Sequence, residues 1–365
     1  MDMLKTNAAK TRDGSIELIR VVSMLLVVLL HIVGWGGVAR QADGFSAVVA
    51  RGLESLSYCC VNLFALVSGY VSFGRKQRWD RLAELWFQVL FYSVGGFVLY
   101  FLITGNIHGG RVAVFRSLFP VSGREYWYFS SYFLLFCIRP LMDRLLEGLD
   151  KLRFRVLLLS VLLLFSVIGV FLDDSFATSG GYTPWWLMYL YCLGVYIKNY
   201  PEDFHRKKWF YLLGYVFFSA MTLLLDRLAK WTGDLFGMGI FDDLFIRFDS
   251  LTVLGATVCL FLALRGMKME HGQLPIRILS TVSFDVYLIH VHRIPFAWLK
   301  GRFALIGELP WYKMLGIALG IAALIYLICG AIGWLRIGLF RLTRVDKLSR
   351  GLAGGIEKLL LRLCK

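Results

Sequence analysis

Long apolar stretches, separated by short runs rich in Arg, Lys, Gly and Pro, dominate the chain. A hydrocarbon core of ~30 Å takes about 20 mostly apolar residues of helix per crossing. Stretches of that size predict spans at 16–36, 45–72, 84–104, 126–146, 153–172, 183–199, 209–230, 248–264, 274–292 and 311–335. The pattern therefore predicts an all-α, polytopic transmembrane bundle of about ten helices. Residues 1–335 read as one membrane-embedded domain, with no room for a separate soluble domain of ordinary size. In the tail 336–365, Leu and Ile alternate with Arg and Lys, which predicts an amphipathic, basic helix lying on the membrane face. The first apolar run reaches Trp35 with no small-residue cleavage pattern after it, unlike a signal peptide. The acidic, Gly-rich loop Asp173–Gly181 reads as an outer turn.

Composition agrees with the pattern: 58% of residues are hydrophobic and 18% charged, with a mean hydropathy of +0.64. A soluble chain is nearer half apolar and a quarter charged. The net charge of +15 raises the question of nucleic acid, but its placement argues against that partner. With the N-terminus inside, the inner segments 1–15, 73–83, 139–155, 198–208, 265–277 and 335–365 hold 27 of the 40 Lys and Arg, and the outer loops hold 11. Basic residues gather in cytoplasmic loops, so both termini are expected in the cytoplasm, facing anionic membrane lipids or an anionic cytosolic ligand. The seven Cys form no CxxC pair and lie mostly in apolar segments, which reads as buried structural cysteine rather than a disulfide or metal site.

Polar groups at membrane depth are costly and tend to be functional. In the first span, Arg20 and His31 are eleven residues apart. On a helix that is about 20° around the axis and about 16 Å along it, so they share a face. Glu17, one turn before Arg20, can pair with it. Arg20 then sits near the inner surface and His31 toward the outer one. The plainer alternative is a snorkelling Arg and an interfacial His. The ninth span reads Ser283-Phe-Asp285-Val-Tyr287-Leu-Ile-His290, and Ser283, Tyr287 and His290 fall within about 60° of one another. Asp285 points roughly 140° away from His290, toward another helix or the backbone. The second span ends in Asn62…Ser68-Gly69-Tyr70 and runs into a basic loop with Arg75, Arg78 and Arg81. Small residues there admit a ligand or a neighbouring helix, and the arginines suit phosphate as well as an ordinary inner loop. Tyr126-Trp127-Tyr128 and Tyr182…Trp185-Trp186 open the fourth and sixth spans. They read as an aromatic belt, or as a platform for a sugar ring.

Together these features resemble the acyltransferase-3 family of bacterial membrane O-acyltransferases. The resemblance rests on Arg20-x10-His31 with Glu17 before it, on Asn62…Ser68-Gly69-Tyr70 with the basic loop through Arg81, on Trp127, and on the segment Ser283 to His290. It spans roughly residues 15–300, with Phe284 where the family more often has Tyr. The resemblance implies a multi-pass protein of the cytoplasmic (inner) membrane. It further implies transfer of an acyl group, usually acetyl, from cytosolic acetyl-CoA as co-substrate. The acceptor would be a hydroxyl of a cell-envelope glycan or lipid-linked saccharide, and no metal is needed. In that reading Arg20, Ser68, Arg75, Arg78 and Arg81 receive the coenzyme. Trp127, Ser283 and His290 meet the acceptor, and Glu17, Arg20, Tyr287 and His290 support His31. His31 is a general base or an acyl-carrying nucleophile, the former preferred because one site can then hold donor and acceptor together. The rival reading is a transporter or flippase for an envelope lipid or sugar, since intramembrane Arg and His also suit a translocation path.

Overall fold

A computed structural model describes residues 13–106, 110–169, 176–236, 245–267, 269 and 273–363. Each of the ten apolar stretches is mainly helical over its described part, and no strand occurs among the described residues. Parts of the predicted fifth span, of the loop 173–181 and of the loop 231–247 lie outside them, as do residues 1–12.

The first stretch is α1 (Gly14–Leu30), which continues through a π-helical turn (His31–Trp35) into the single turn α2 (Val38–Gln41). The second is α3 (Gly44–Ser57) and α4 (Cys60–Ser72), broken at Tyr58–Cys59. Then come α5 (Trp79–Thr104), the short α6 (Gly110–Leu118), α7 (Trp127–Glu147), α8 (Lys151–Leu162), α9 (Pro184–Asn199) and α10 (Lys208–Phe236). The last third holds α11 (Leu251–Arg265), α12 (Gln273–Thr281), α13 (Ser283–His290), α14 (Arg293–Leu299), α15 (Trp311–Leu342) and α16 (Val345–Leu363).

Among the described residues, five segments are long and apolar enough to cross a membrane: Gly14–Gln41, Gly44–Ser72, Trp79–Thr104, Lys208–Leu235 and Trp311–Leu342. A sixth is added if Gln273–His290 and Arg293–Glu308, bent by 75°, form one span. The count falls below ten for physical reasons. α9 and α11 have 16 and 15 residues, so they are about 24 and 22 Å long against a core of ~30 Å. α7 carries Arg139, Asp143, Arg144 and Glu147, and α8 opens with Lys151, Arg153 and Arg155. Leu102, Leu213 and Leu335 on three of the long helices are exposed. Such outward apolar faces belong to a helical protein whose solvent is lipid.

α1 is the central helix, packed against α3, α4, α11, α12, α13 and α15. Its start is fixed by Asp13, which accepts from Ser15 N at 3.1 Å and pairs with Arg265 at 3.0 Å. α4 crosses α9 with backbone almost touching backbone. A Cβ on Gly69 would meet Tyr191 O at 2.0 Å, and one on Gly194 would meet Leu66 O at 2.2 Å. The small residues of the Ser68-Gly69 segment thus admit a neighbouring helix.

α13 is only eight residues long and is broken from α12 at Val282. Side chains hold it in place. Asp285, fully buried, receives Arg336 of α15 through two bonds of 2.9 and 2.8 Å and Tyr92 of α5 at 2.7 Å. Ser283 bonds Tyr326 at 2.8 Å. This ion pair also explains why α15 outlasts the predicted end of its span: the Arg336 side chain turns into the bundle, 11% exposed, and the helical break falls at Thr343–Arg344 instead. α16 packs along α5 with Ser349 and Ala353 buried and Leu348, Leu352 and Ile356 exposed.

Candidate active site

A cavity of about 720 Å³ follows the face of α1 that carries Arg20 and His31. That size suits a small-molecule site. Arg20, Ser68, Ser72, Arg81 and Thr281 line one end. Arg40, Arg51, Glu54, Glu125, Trp127 and Tyr182 line the other, and His31 lies between. One helix face therefore reaches both ends of one chamber, as the eleven-residue spacing predicts.

Three devices position the reactive groups. Glu17 is buried off the cavity wall. It holds Arg20 at 2.9 Å and also accepts from Ser280 Oγ of α12, so it aims the guanidinium rather than meeting a ligand itself. The π-helical turn comes second. It begins at His31, and Gly36 N closes it on His31 O at 2.7 Å. Such turns concentrate at functional sites because they rotate a side chain off the α-helical register. Gly36 is required there, since a Cβ would lie 2.2 Å from Ile32 O. Third, His290 of α13 places its Nε2 3.1 Å from His31 Nδ1, while its own Nδ1 lies 2.6 Å from Val286 O.

Those two distances fix the tautomers of the neutral pair. A carbonyl only accepts, so His290 Nδ1 carries hydrogen and Nε2 holds the lone pair. His31 Nδ1–H then donates to it, which leaves His31 Nε2 as the unprotonated nitrogen. The His31 ring packs edge-on to Phe296, centroids 5.3 Å apart. A histidine with one nitrogen hydrogen-bonded to an orienting group and the other free can take and return a proton.

The other predicted residues divide. Ser68, Arg81, Trp127, Ser283 and Tyr287 line the cavity. The Ser68 hydroxyl donates to Phe64 O at 3.0 Å, and the Ser283 hydroxyl is engaged by Tyr326. Arg75 and Arg78 are off the wall. Arg75 O accepts from Arg139, and Arg78 pairs with Asp80 at 2.7 Å. Asn62, also noted in the sequence, is fully buried and ties Trp186 to Phe248 O at 2.9 and 2.8 Å. It thereby sets the aromatic wall. Trp127 contacts Tyr182 at 4.6 Å and Phe248 at 6.1 Å, ring to ring, inside the cavity rather than on a lipid-facing belt.

The acyltransferase-3 domain model, described as "Acyltransferase domain", matches residues 13–334. The chain belongs to the acyltransferase-3 family. No curated protein and no solved structure matches it. As an acyltransferase-3 protein it is a membrane acyltransferase, and the chamber through α1 is its candidate site of acyl transfer.

Four charged residues of that chamber escape the sequence reading: Arg40, Arg51, Glu54 and Glu125. Arg51 pairs with Glu54 at 2.8 Å, and Glu125 pairs with Arg293. The signal for the first pair was present in the i, i+3 spacing of two charges inside an apolar stretch. The second pair joins residues far apart in sequence and leaves no local pattern.

Proposed function

We propose that this acyltransferase moves an acetyl group from cytosolic acetyl-CoA to a hydroxyl of an envelope glycan or lipid-linked saccharide, with His31 as general base. The observation that carries the reading is the single cavity that runs from Arg20 and Arg81 past His31 to the Trp127–Tyr182 wall. In this reading the helical stretches make ten crossings, both termini face the cytoplasm, and the membrane is the cytoplasmic membrane of a bacterium. α16 lies along its anionic inner face.

Coenzyme A phosphates meet Arg20 and Arg81 at the inner end, with Arg75 and Arg78 adding field rather than contact. A pantetheine arm, on the order of 15–20 Å, matches the rise from Arg20 to His31. The thioester then lies beside His31, and the acceptor sugar stacks on the outer aromatic wall. His31 Nε2 takes the acceptor proton as the hydroxyl oxygen attacks the thioester carbon. The tetrahedral intermediate collapses with cleavage of the carbon–sulfur bond, and the imidazolium returns the proton to the departing thiolate. His290 keeps the His31 Nδ1 hydrogen engaged throughout, so the growing positive charge is shared with a fixed acceptor.

The test is mass spectrometry of envelope glycans from cells lacking the protein, restored with wild type or with His31→Ala. The expected result is loss of one acyl mass on deletion, its return with wild type, and no return with His31→Ala at equal protein level. Restoration by His31→Ala overturns the assignment of the base.

A further inference from the structure

Two cations at the outer end of the chamber have no ion pair among the described residues. Each carboxylate lining it is already held by a guanidinium, Glu54 by Arg51 at 2.8 Å and Glu125 by Arg293. Arg40 lines the same mouth, is exposed, and has no ion pair among the described residues. Lys300, off the cavity wall, also has no ion pair among the described residues, and its Nζ lies 5.6 Å from the centre of the Trp35 ring, which is on the wall. Trp35 is 52% exposed and lines the cavity, with Lys300 over its ring. Rings connect this spot to the base: Trp35 packs on Phe296 at 5.7 Å, and Phe296 on His31 at 5.3 Å. Two cations without an ion pair, beside an exposed aromatic ring at the mouth of the chamber, present positive charge to an anionic ligand.

We infer that the acceptor is an anionic saccharide. Its acidic group, a carboxylate or a phosphate, sits against Arg40 and Lys300, one or two sugar rings from the hydroxyl presented to His31. Trp35 would carry the intervening ring by stacking. The inference rests on the acyl-transfer reading and on the proposed orientation, and it adds the chemical class of the acceptor. A neutral glycan would gain nothing from their charge.

The test uses the full-length protein in detergent with radiolabelled acetyl-CoA. Envelope saccharides from cells lacking the protein are split by anion exchange into neutral and acidic fractions, and each is offered as acceptor. Label is expected in the acidic fraction. Label confined to the neutral fraction overturns the anionic acceptor while leaving acyl transfer intact; label in neither overturns the acyl-transfer reading itself. Carboxyl reduction of the acidic fraction removes acceptance if the group is a carboxylate, and hydrofluoric acid dephosphorylation removes it if the group is a phosphate. Acceptance that survives both treatments counts against the proposal. The double variant Arg40→Gln, Lys300→Gln is expected to raise KM for the acidic fraction roughly 3- to 30-fold, the span of two exposed charge contacts, with kcat retained. It should also flatten the rise of KM with added salt. Arg302→Gln removes one charge, against two in the double variant, from a residue stacked on Trp298 at 4.8 Å, and serves as the control alongside the single variants Arg40→Gln and Lys300→Gln. Equal KM values for the double variant and the control would refute the assignment.

Discussion

Replacing His290 by Ala tests whether the two histidines act as one unit. The substitution removes the acceptor 3.1 Å from His31 Nδ1 and leaves the rest of α13 anchored through Asp285 and Ser283. In the resting site the lost bond is between neutral groups. In the transition state His31 becomes a cation, and a hydrogen bond to a charged group is worth about 1.5–3 kcal/mol. At 1.36 kcal/mol per decade that is roughly a 10- to 150-fold fall in kcat. His31→Ala removes the base itself, for which a loss of about 10²–10⁴ or more is expected. Residues that act through one another are not additive, so the double variant should be no slower than His31→Ala alone. His290→Gln, whose amide oxygen can accept from Nδ1, should recover part of the loss. The assay is the initial rate of coenzyme A thiol release from acetyl-CoA with the acidic glycan fraction as acceptor. A double variant slower than His31→Ala by the full His290→Ala factor would refute the dyad, and so would an unaffected His290→Ala.

Three further outcomes follow from the packing. Arg336→Met strands the buried Asp285 carboxylate, and breaking a buried pair costs about 3–5 kcal/mol; detergent thermal unfolding should show a large drop, partly recovered by adding Asp285→Asn. Gly69→Ala and Gly194→Ala each force a methyl into a facing carbonyl and should lower stability by at least the ~1–3 kcal/mol of overpacking, read as Tm and as yield of monodisperse protein. Asp203, in the loop after α9, is held well below the usual carboxylate range by hydrogen bonds from Arg155, then Lys151, then Tyr196. A depressed carboxyl contributes its stability in full above its unfolded pKa of ~3.9 and loses it progressively as pH falls from there through its lower folded value. Tm should therefore be flat in this group's contribution near neutrality and fall below about pH 4, and Asp203→Asn should remove that part of the slope.

Periodicity made half of the site legible. Arg20 and His31 share a face because helix geometry forces it, and the chamber follows that face. The same rule brought Tyr287 to the wall and His290 behind His31, and it turned Asp285 away toward α15 and α5. What escaped was non-local. Arg336 reads as an inner-loop cation because nothing near it in sequence announces Asp285. Arg75 and Arg78 lie in a loop, where charge composition gives no direction, and only Arg81, at the start of α5, reaches the wall. Hydropathy does not register the breaks at Tyr58 and Val282 or the shortness of α9 and α11, so it does not tell uninterrupted helices from broken or short ones. The π-helical turn at His31 left a trace in Gly34, Gly36 and Gly37, which composition alone marks only as a loop.

In the proposed mechanism, donor and acceptor enter one chamber from opposite faces of the membrane. Proteoliposomes containing the full-length protein, with the acidic glycan trapped inside and radiolabelled acetyl-CoA added outside, test it most directly. The expected result is label on the trapped glycan with coenzyme A remaining outside, and none with His31→Ala. Label that forms only when donor and acceptor share a compartment would contradict the account.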